Sequence, residues 1–257
     1  MKNKKPVRRR ARERQEERDI IDESFIDPFN NPNPIKRQIK VNQFPWTDKQ
    51  KDFFKVALHH DTKIVFVNGP AGTSKSLLAV YCGLQLLNMK AISDIMYLRS
   101  AVESSDSKLG YLPGTAEDKL RFYNLPFLDK LDELLPTIRA EKLEQEGRIS
   151  MFPVNFARGM NWKSKCVILD EAQNSSMKEI TTVLTRLGEG SRCFILADPM
   201  QTDLRNKDQI GGFEKLYSTF ADQRSQAMGI HTFAFDTDDI MRSELCKFIV
   251  KKVSTIK

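Results

Sequence analysis

Residues 67–76, VNGPAGTSKS, have the composition and spacing of a loop that binds phosphate. The pattern G-x-x-x-x-G-K-[ST] is met at Gly69, Lys75 and Ser76, whereas Ser74 stands where the second glycine is usual. Backbone amides of such a loop face an anion at a helix N-terminus, where unpaired donors and the helix dipole favour phosphate oxygens. The sequence therefore predicts that Lys75 pairs with the terminal phosphates of a nucleotide and that Ser76 offers its hydroxyl to Mg²⁺.

Two acidic residues follow the apolar run KCVILD at 165–170. The first, Asp170, ends a predicted buried strand at the edge of the sheet where ligands bind in parallel α/β folds, and it is a candidate for Mg²⁺ coordination. The second, Glu171, is placed to polarise a water molecule for attack on the terminal phosphate. Acid pairs are also common in turns, but together with the loop this pair predicts hydrolysis as well as binding.

A third apolar run, RCFILA at 192–197, is also followed by polar residues. Asp198 comes directly after it and Gln201 three residues later. A glutamine in this place can sense the terminal phosphate or orient the attacking water. Asp198 with Pro199 has the alternative role of a turn initiator. Three polar strand ends on one edge of a sheet favour sensing.

Arg242 lies in DTDDIMRSELCKFIV, a segment with the hydrophobic period of a helix. The pattern predicts that Asp238 caps this helix and that Arg242 lies in its first turn. The predicted apolar face consists of Ile240, Met241, Leu245, Phe248 and Ile249. A cation near a helix start is disfavoured by the dipole and usually has a partner. Arg242 is therefore either a solvated surface residue or an arginine finger for its own or a neighbouring subunit's nucleotide.

These candidate residues need a sheet that brings several strand ends to one edge. Apolar and β-branched runs predict buried strands at 63–68, 94–99, 165–170, 192–197 and 231–236. Helical patterns lie between them, at 117–135, 176–187, 212–220 and 238–252. Apolar strands that alternate with helices predict a parallel sheet covered on both faces, which is a three-layer α/β fold.

The domain is predicted to run from about residue 45 to 257, with an insertion at about 100–161 between the second and third core strands. Residues 1–44 are poor in apolar side chains and rich in charge, proline and asparagine, so they predict a disordered arm. Residues 1–18 hold nine Lys and Arg against three Glu, and most of the net charge of +7 lies there. The arm is either a solubilising tail or an electrostatic contact for nucleic acid phosphates.

Composition also argues against several other classes of protein. No run approaches the roughly eighteen apolar residues of a membrane-spanning helix. The charged N-terminus lacks the apolar core of a secretory signal, so a cytoplasmic location is expected. The four cysteines are widely spaced and include no C-x-x-C pair, so neither a disulfide framework nor a zinc site is indicated.

Taken together, the motifs resemble those of the PhoH-like P-loop ATPases, a single-domain form of the nucleotide-binding half of superfamily 1 helicases. The resemblance runs from about residue 50 to 250. It rests on GPAGTSKS, LGYLPG with EDKL, PVNFARGM, VILDEAQNSSMKEITTVLTRLGEGS, ADPMQTDL, GGFEKL and DIMRSE. The resemblance implies a P-loop NTPase fold of the RecA or superfamily 1 helicase type, binding of ATP and Mg²⁺, a link to RNA metabolism and hexameric rings. The single-domain, tailed form is similar to phage-encoded members.

The resemblance also implies roles for individual residues. Gln50 matches an upstream glutamine that reads adenine, Gln201 matches the sensor, and Arg242 resembles the finger of the last helicase motif. Arg186 matches another arginine of the family, and Arg158 lies in the block FARGM, which resembles a family block. The implied nucleotide-binding set is Gln50, Gly69, Pro70, Ala71, Gly72, Thr73, Ser74, Lys75, Ser76 and Leu77.

Two functions remain open from the sequence. The first is a Mg²⁺-dependent ATPase coupled to RNA or single-stranded DNA, with Lys75, Glu171, Gln201 and Arg242 as catalytic residues. The alternative is a ring-forming interaction protein that binds ATP at its interfaces and turns it over slowly or not at all, which the serine in the loop favours. A small-molecule kinase is less favoured, because no lid-type arginine cluster is evident and the glutamine sensor indicates water as the acceptor.

Overall fold

The polar strand ends lie on a six-stranded parallel sheet. The computed structural model describes residues 38–100, 116–136, 140–157, 161–198, 200–202 and 211–253. The strands are β1 Ile64–Asn68, β2 Asp94–Arg99, β3 Ile149–Pro153, β4 Lys165–Asp170, β5 Arg192–Ala197 and β6 Ile230–Ala234. Their order is β3-β2-β4-β5-β1-β6, and every pair of neighbours is parallel. All carboxyl ends therefore meet at one edge.

Helices connect and cover these strands. They are α1 Asp48–Ala57, α2 Lys75–Asn88, α3 Ala116–Leu134, α4 Ala140–Gln145, α5 Met177–Leu184, α6 Gly212–Thr219, α7 Gln223–Ala227 and α8 Glu244–Val253. Short 3₁₀ turns lie at Val154–Ala157, Ala172–Asn174 and Thr237–Asp239. Among the described helices, none is both long and apolar enough to cross a bilayer.

The central strands are buried on both faces, which explains why they appear in the sequence as unbroken apolar runs. Every residue of β4 and of β5 is buried. Along β1, Val65 and Val67 pack into the core on one face, whereas Phe66 packs into the core on the other. Successive side chains of a strand point to opposite faces, so two cores are separated by one sheet. This confirms the predicted three-layer α/β fold and its parallel sheet.

The inserted segment contributes a strand that sequence patterns missed. β3 pairs with β2 in register from Ile95 and Ile149 onward, at the edge of the sheet. It was hard to detect because only Ile149 is buried, its other residues are half-buried, and it ends at Pro153. A short edge strand that ends in proline lacks both the alternation and the continuous burial that mark a strand. Part of the segment at about 100–161 is thus built into the sheet.

The predicted helix at 238–252 is wrong in its first turn. Asp238 does not cap it: Asp236 caps a 3₁₀ turn by accepting from the Asp238 amide at 2.8 Å. α8 begins only at Glu244, so Arg242 precedes the helix. The Met241 amide donates to the Gly72 carbonyl at 3.0 Å, which ties this stretch to the loop between β1 and α2.

The apolar face predicted for this helix is mostly not part of the core. Ile240 is buried, but Met241, Leu245, Phe248 and Ile249 are exposed in the described chain. The helical period was therefore correct for α8, but the inference that its apolar side packs inward was wrong. The division into an arm at 1–44 and a domain from 45 stays a prediction, since residues 1–37 lie outside the described residues.

Candidate functional site

The loop between β1 and α2 has the backbone of an anion-binding turn. Gly72 has φ of 86° and Ser74 has φ of 64°, so both lie in the left-handed region. Glycine adopts this region freely, whereas a serine there is strained by about 1 kcal/mol. Thr73 is buried, and its hydroxyl donates to the Pro70 carbonyl at 2.9 Å. The loop therefore keeps the P-loop conformation although Ser74 replaces the usual glycine.

Lys75 is half-buried and is held by the loop itself. Its Nζ donates to the carbonyls of Gly69 at 2.6 Å and Pro70 at 2.9 Å. Burial lowers the pKa of Lys75, and the charges of Asp198, Asp170 and Glu171 act in the opposite direction. Within the described part of the chain, no carboxylate lies within ion-pair distance of this ammonium group. Its charge is thus available to an anion in the loop.

Asp170 is buried at the end of β4 and held by two donors. The Tyr97 hydroxyl donates to its Oδ2 at 2.8 Å, and the Glu171 amide donates to its Oδ1 at 3.0 Å. Tyr97 comes from the neighbouring strand β2, so the carboxylate is oriented by a residue far away in sequence. Sequence analysis did not identify Tyr97, because a tyrosine within a buried strand carries no signal of its own.

Glu171 sits in a strained turn beside Asp170. Its φ is 54°, in the left-handed region, which is uncommon for a residue other than glycine. Burial and the negative charge of Asp170 raise its pKa above the ordinary value of 4.5, while a hydrogen bond from Gln173 lowers it. A carboxylate with a raised pKa next to a metal-type carboxylate is typical of functional sites.

Gln173 connects two of the strand ends, and sequence analysis missed it. Its Nε2 donates to Glu171 Oε2 at 2.5 Å and to the Gln201 carbonyl at 3.2 Å. Its Oε1 accepts from the Asp198 amide at 3.0 Å. The sequence did contain a signal for Gln173, because this polar residue lies two positions after Glu171 in DEAQN, within a block on which the family resemblance rests. Buried amides that satisfy several partners rigidify a site.

A cavity of about 580 Å³ lies over these residues. Several of the residues predicted from sequence line it, and they are Gln50, Ala71, Gly72, Ser74, Lys75, Ser76, Leu77, Asp170, Glu171, Asp198, Gln201 and Arg242. Its remaining walls come from the segment at Phe44–Trp46, from Lys130 and Glu133 of α3, from the end of β5 at Leu196 and Ala197, and from Met241. Gly69, Pro70 and Thr73 belong to the loop between β1 and α2 but are not among the residues that line the cavity. The structure therefore brings together the loop, the two acidic strand ends and the glutamine.

Gln50 lines the cavity, and the oxygen of its side chain already has a hydrogen-bond donor. It is buried, and its Oε1 accepts from the Thr47 amide at 3.0 Å as half of a capping box for α1. The amide nitrogen has no hydrogen-bond partner among the described residues. A base in the cavity would thus be met by an oriented N–H donor.

The three arginines differ in their positions. Arg242 lines the cavity of its own chain, and its Cγ and Cδ lie 3.5 Å from the place a Cβ would occupy on Gly72. Arg186 follows α5 near Trp162, whose amide donates to the Arg186 carbonyl at 2.8 Å. Trp162 precedes β4, so Arg186 is at the amino edge of the sheet, away from the cavity. Arg158 lies outside the described residues.

One group of possible metal ligands lies elsewhere. His59, His60 and Asp61 are exposed side chains whose ligand atoms lie within 4.8 Å of one another. They precede β1, at the amino edge of the sheet, and share no residue with the cavity. The oxygen ligands suited to Mg²⁺, namely the Ser76 hydroxyl and the Asp170 carboxylate, are those of the cavity.

Comparison with known proteins gives a family and several relatives. The family model described as PhoH-like protein matches residues 44–254. A PhoH-like protein of Bacillus subtilis is 33% identical over 229 residues, which is 89% of this chain and 68% of that protein. One of Synechocystis is 36% identical over 165 residues, 64% of this chain and 49% of that protein. One of Mycobacterium tuberculosis is 34% identical over 187 residues, 73% of this chain and 51% of that protein.

The chain spans about half the length of the Synechocystis and Mycobacterium relatives. Among solved structures, the Pif1 helicase of Candida albicans is 15% identical with a TM-score of 0.38, over 76% of this chain and 40% of that chain. The SWI2/SNF2 ATPase core of Sulfolobus solfataricus in complex with dsDNA is 12% identical with a TM-score of 0.41, over 80% and 46% of the two chains.

Proposed function

Because the chain belongs to the PhoH-like protein family, we propose that it binds ATP with Mg²⁺ and hydrolyses it, coupled to RNA or single-stranded DNA. The single observation that carries the proposal is the arrangement around Lys75. A half-buried ammonium group without an ion-pair partner in the described chain lines one cavity together with Asp170, Glu171 and Asp198. Such an arrangement is stabilised by a bound polyphosphate and its metal ion.

The roles follow from the chemistry of each group. Lys75 leaves the loop carbonyls for the terminal phosphates, because a charge-assisted bond to phosphate is stronger than one to a neutral carbonyl. Ser76 and Asp170 hold Mg²⁺ through oxygen atoms, which are the ligands that this ion prefers. Bound Mg²⁺ supplies charge neutralisation between the phosphates. Gln50 contacts the base with its free N–H group.

Hydrolysis is assigned to Glu171 as the general base. The pKa of Glu171 is raised toward the range that suits a general base near neutral pH. Gln173 holds one carboxylate oxygen, which leaves the other for the attacking water. Gln201 is proposed to orient that water, and Arg242 to stabilise the charge that develops on the transferred phosphate.

The test is phosphate release by Glu171→Gln under saturating Mg²⁺·ATP. We expect release to fall by about 10²-fold or more, since a positioned general base contributes roughly that much. Binding of a fluorescent ATP analogue should persist, because Lys75, Ser76 and Asp170 remain. Glu144→Gln is the matched control: Glu144 is an exposed glutamate of α4 that does not line the cavity. Equal rates in the two variants would overturn the assignment of Glu171.

The coupling to nucleic acid is supported by the charge of residues 1–18, nine Lys and Arg against three Glu. Removing these residues should weaken binding to single-stranded RNA and DNA of any sequence and reduce its dependence on salt concentration. The measurement is fluorescence anisotropy with labelled oligonucleotides over a salt series. Unchanged affinity and an unchanged salt slope would exclude the arm as the contact. Stimulation of ATP turnover by one nucleic acid and not the other would then identify the partner.

Our second proposal is that the chain forms a homo-oligomer, such as a hexameric ring. This assembly is compatible with slow turnover of bound ATP. The supporting observation is the face of α8, where Leu245 is 67% and Phe248 is 59% exposed, adjacent to Arg242. Contiguous apolar side chains on a surface are typical of interfaces. Light scattering should give a multiple of 29.6 kDa that the change of both residues to Glu disrupts. Met228→Glu, at an exposed methionine elsewhere, should leave the mass unchanged.

A further inference from the structure

We propose that Tyr97 is a positioning residue that orients the metal-binding carboxylate of Asp170 and links it to helix α3. This inference rests on the proposed function, because it concerns how that site holds its metal ion. Tyr97 thereby joins the residues that determine metal affinity, although sequence analysis treated its strand, β2, as structural only.

The first step is the hydrogen bond between the two side chains. Tyr97 is 1% exposed, and its hydroxyl donates to Asp170 Oδ2 at 2.8 Å. The bond is enclosed, since Asp170 is also buried and water has little access to either atom. Hydrogen bonds to a charged group in such surroundings are strong.

The second step concerns the freedom of the carboxylate. Asp170 Oδ1 accepts from the Glu171 amide at 3.0 Å, so each oxygen has one donor. A carboxylate has about four lone-pair sites, which leaves acceptor capacity for a metal ion or its water while rotation of the group is blocked. Without the tyrosine hydroxyl, the Glu171 amide would be the one remaining donor to the group among the described residues. Residues that orient metal ligands in this way typically change metal affinity or activity by about 10- to 100-fold when replaced.

The third step is the connection to α3. The Tyr97 ring stacks on Phe127 of α3, with ring centroids 4.6 Å apart and planes 15° apart, and Phe127 is fully buried. One turn further along the same helix, Lys130 lines the cavity, followed by Glu133. Phe127 and Lys130 are three residues apart and therefore neighbours on the helix surface, so the stack on Tyr97 adjoins the part of α3 that lines the cavity. Tyr97 thereby joins the wall of the cavity to its metal ligand.

The test measures Mn²⁺ binding to the complex with ADP by electron paramagnetic resonance, with phosphate release as a second readout. Tyr97→Phe keeps the stack on Phe127 and removes only the hydroxyl. We expect Mn²⁺ affinity to fall by about tenfold, and the Mg²⁺ concentration for half-maximal phosphate release to rise in parallel. ADP binding in the presence of EDTA should not change. Tyr217→Phe is the matched control, since that hydroxyl bonds to Thr232, away from the cavity.

A double-variant cycle separates positioning from packing. In an Asp170→Ala background, Tyr97→Phe should have no further effect on Mn²⁺ affinity, because its effect acts through that carboxylate. Phe127→Leu keeps the hydroxyl but removes the stack, and it should weaken Mn²⁺ binding by a smaller factor in the same direction. Equal Mn²⁺ affinity of Tyr97→Phe and wild type, or an undiminished effect without Asp170, would overturn the proposal.

The same experiment separates this inference from the proposed function. If the wild type binds Mn²⁺ with ADP but releases no phosphate from ATP, hydrolysis is refuted and the comparison of Tyr97→Phe with wild type still decides the role of Tyr97. If the wild type binds neither ADP nor Mn²⁺ with it, the nucleotide site itself is refuted, and the role of Tyr97 with it.

Discussion

The two edges of the sheet both contain buried charges, but only one edge pairs them with one another. At the amino edge, Asp94 and Lys165 are the first residues of neighbouring strands and lie in register. Both side chains are 1% exposed, and Lys165 Nζ lies 2.8 Å from each oxygen of Asp94. At the carboxyl edge, the hydrogen bonds of Lys75 within the described residues go to loop carbonyls, while Asp170 and Glu171 line the same cavity.

The difference distinguishes a structural ion pair from a binding site. A buried pair whose charges and hydrogen bonds are mutually satisfied needs nothing further. The carboxyl edge keeps its charges apart, and the pKa of Glu171 is raised. Left-handed backbone occurs there at Gly72, Ser74 and Glu171 but also at the amino edge at Ser164, so backbone strain alone does not separate the two edges. Unpaired charge reduces stability, and it persists where a ligand makes use of it. Changes at the two edges should therefore affect different properties.

The largest effect is expected for Lys75→Met. It removes the charge that faces the phosphates, and phosphate release should fall by about 10³-fold, because removing a preorganised charge or donor from the transition state has effects of this order. Affinity for an ATP analogue should fall as well. The urea midpoint should shift less than for a change at the amino edge. Wild-type phosphate release by Lys75→Met would contradict the interpretation of the carboxyl edge as a nucleotide-binding site.

Lys165→Met should act on stability instead. It leaves Asp94 buried without its partner, which is expected to reduce the free energy of unfolding by about 3–5 kcal/mol. The measurement is urea denaturation followed by circular dichroism. Combining it with Asp94→Leu should restore most of the loss, because an apolar pair of similar volume replaces the ion pair. Phosphate release per folded molecule should match wild type in the double variant; a large loss there would show that the edges are coupled.

The pH dependence of stability should also differ at the carboxyl edge. The pKa of Glu171 is raised in the folded state, so above that pKa the ionised carboxylate destabilises the fold, and protonation removes this effect as pH falls. Glu171→Gln should therefore be more stable than wild type near pH 7.5, with the gain shrinking as pH falls toward the ordinary pKa of 4.5. Urea midpoints over a pH series measure this. A gain that is constant with pH would contradict the assigned cause.

The smallest effect is expected for Ser74→Gly. Relief of the left-handed backbone should stabilise the fold by about 1 kcal/mol, and ATP binding or turnover should rise modestly. Lys90→Gly is the matched control, since Lys90 has φ of 57° just after α2 and does not line the cavity. Both variants should raise the urea midpoint, but only Ser74→Gly should change nucleotide affinity. Equal nucleotide affinity in both would mean that Ser74 has no part in binding.

Much of the fold and of the site could be predicted from local patterns. Continuous apolar runs marked β1, β2, β4 and β5 because those strands are buried on both faces. The loop and the acidic strand ends were predicted because their function depends on positions that are close in sequence. β6, an edge strand that is only partly buried, was also predicted, whereas β3 was missed because ISMFP holds a single β-branched residue and ends in proline. The first turn before α8 was wrong because the capping by Asp236 and the contact of Met241 with Gly72 are not visible in a hydrophobic period.

The sequence by itself determined the α/β class, the phosphate loop and the residues at the strand ends, since spacing and hydrophobic period set each of these locally. Only the tertiary structure decided which distant side chains complete the site. Tyr97 meets Asp170 across 73 positions of the chain, and Gln173 meets the strand end at Asp198 across 25. It also placed Arg242 against its own loop and Arg186 at the opposite edge. Such contacts depend on strand order and layer packing, which no local pattern encodes.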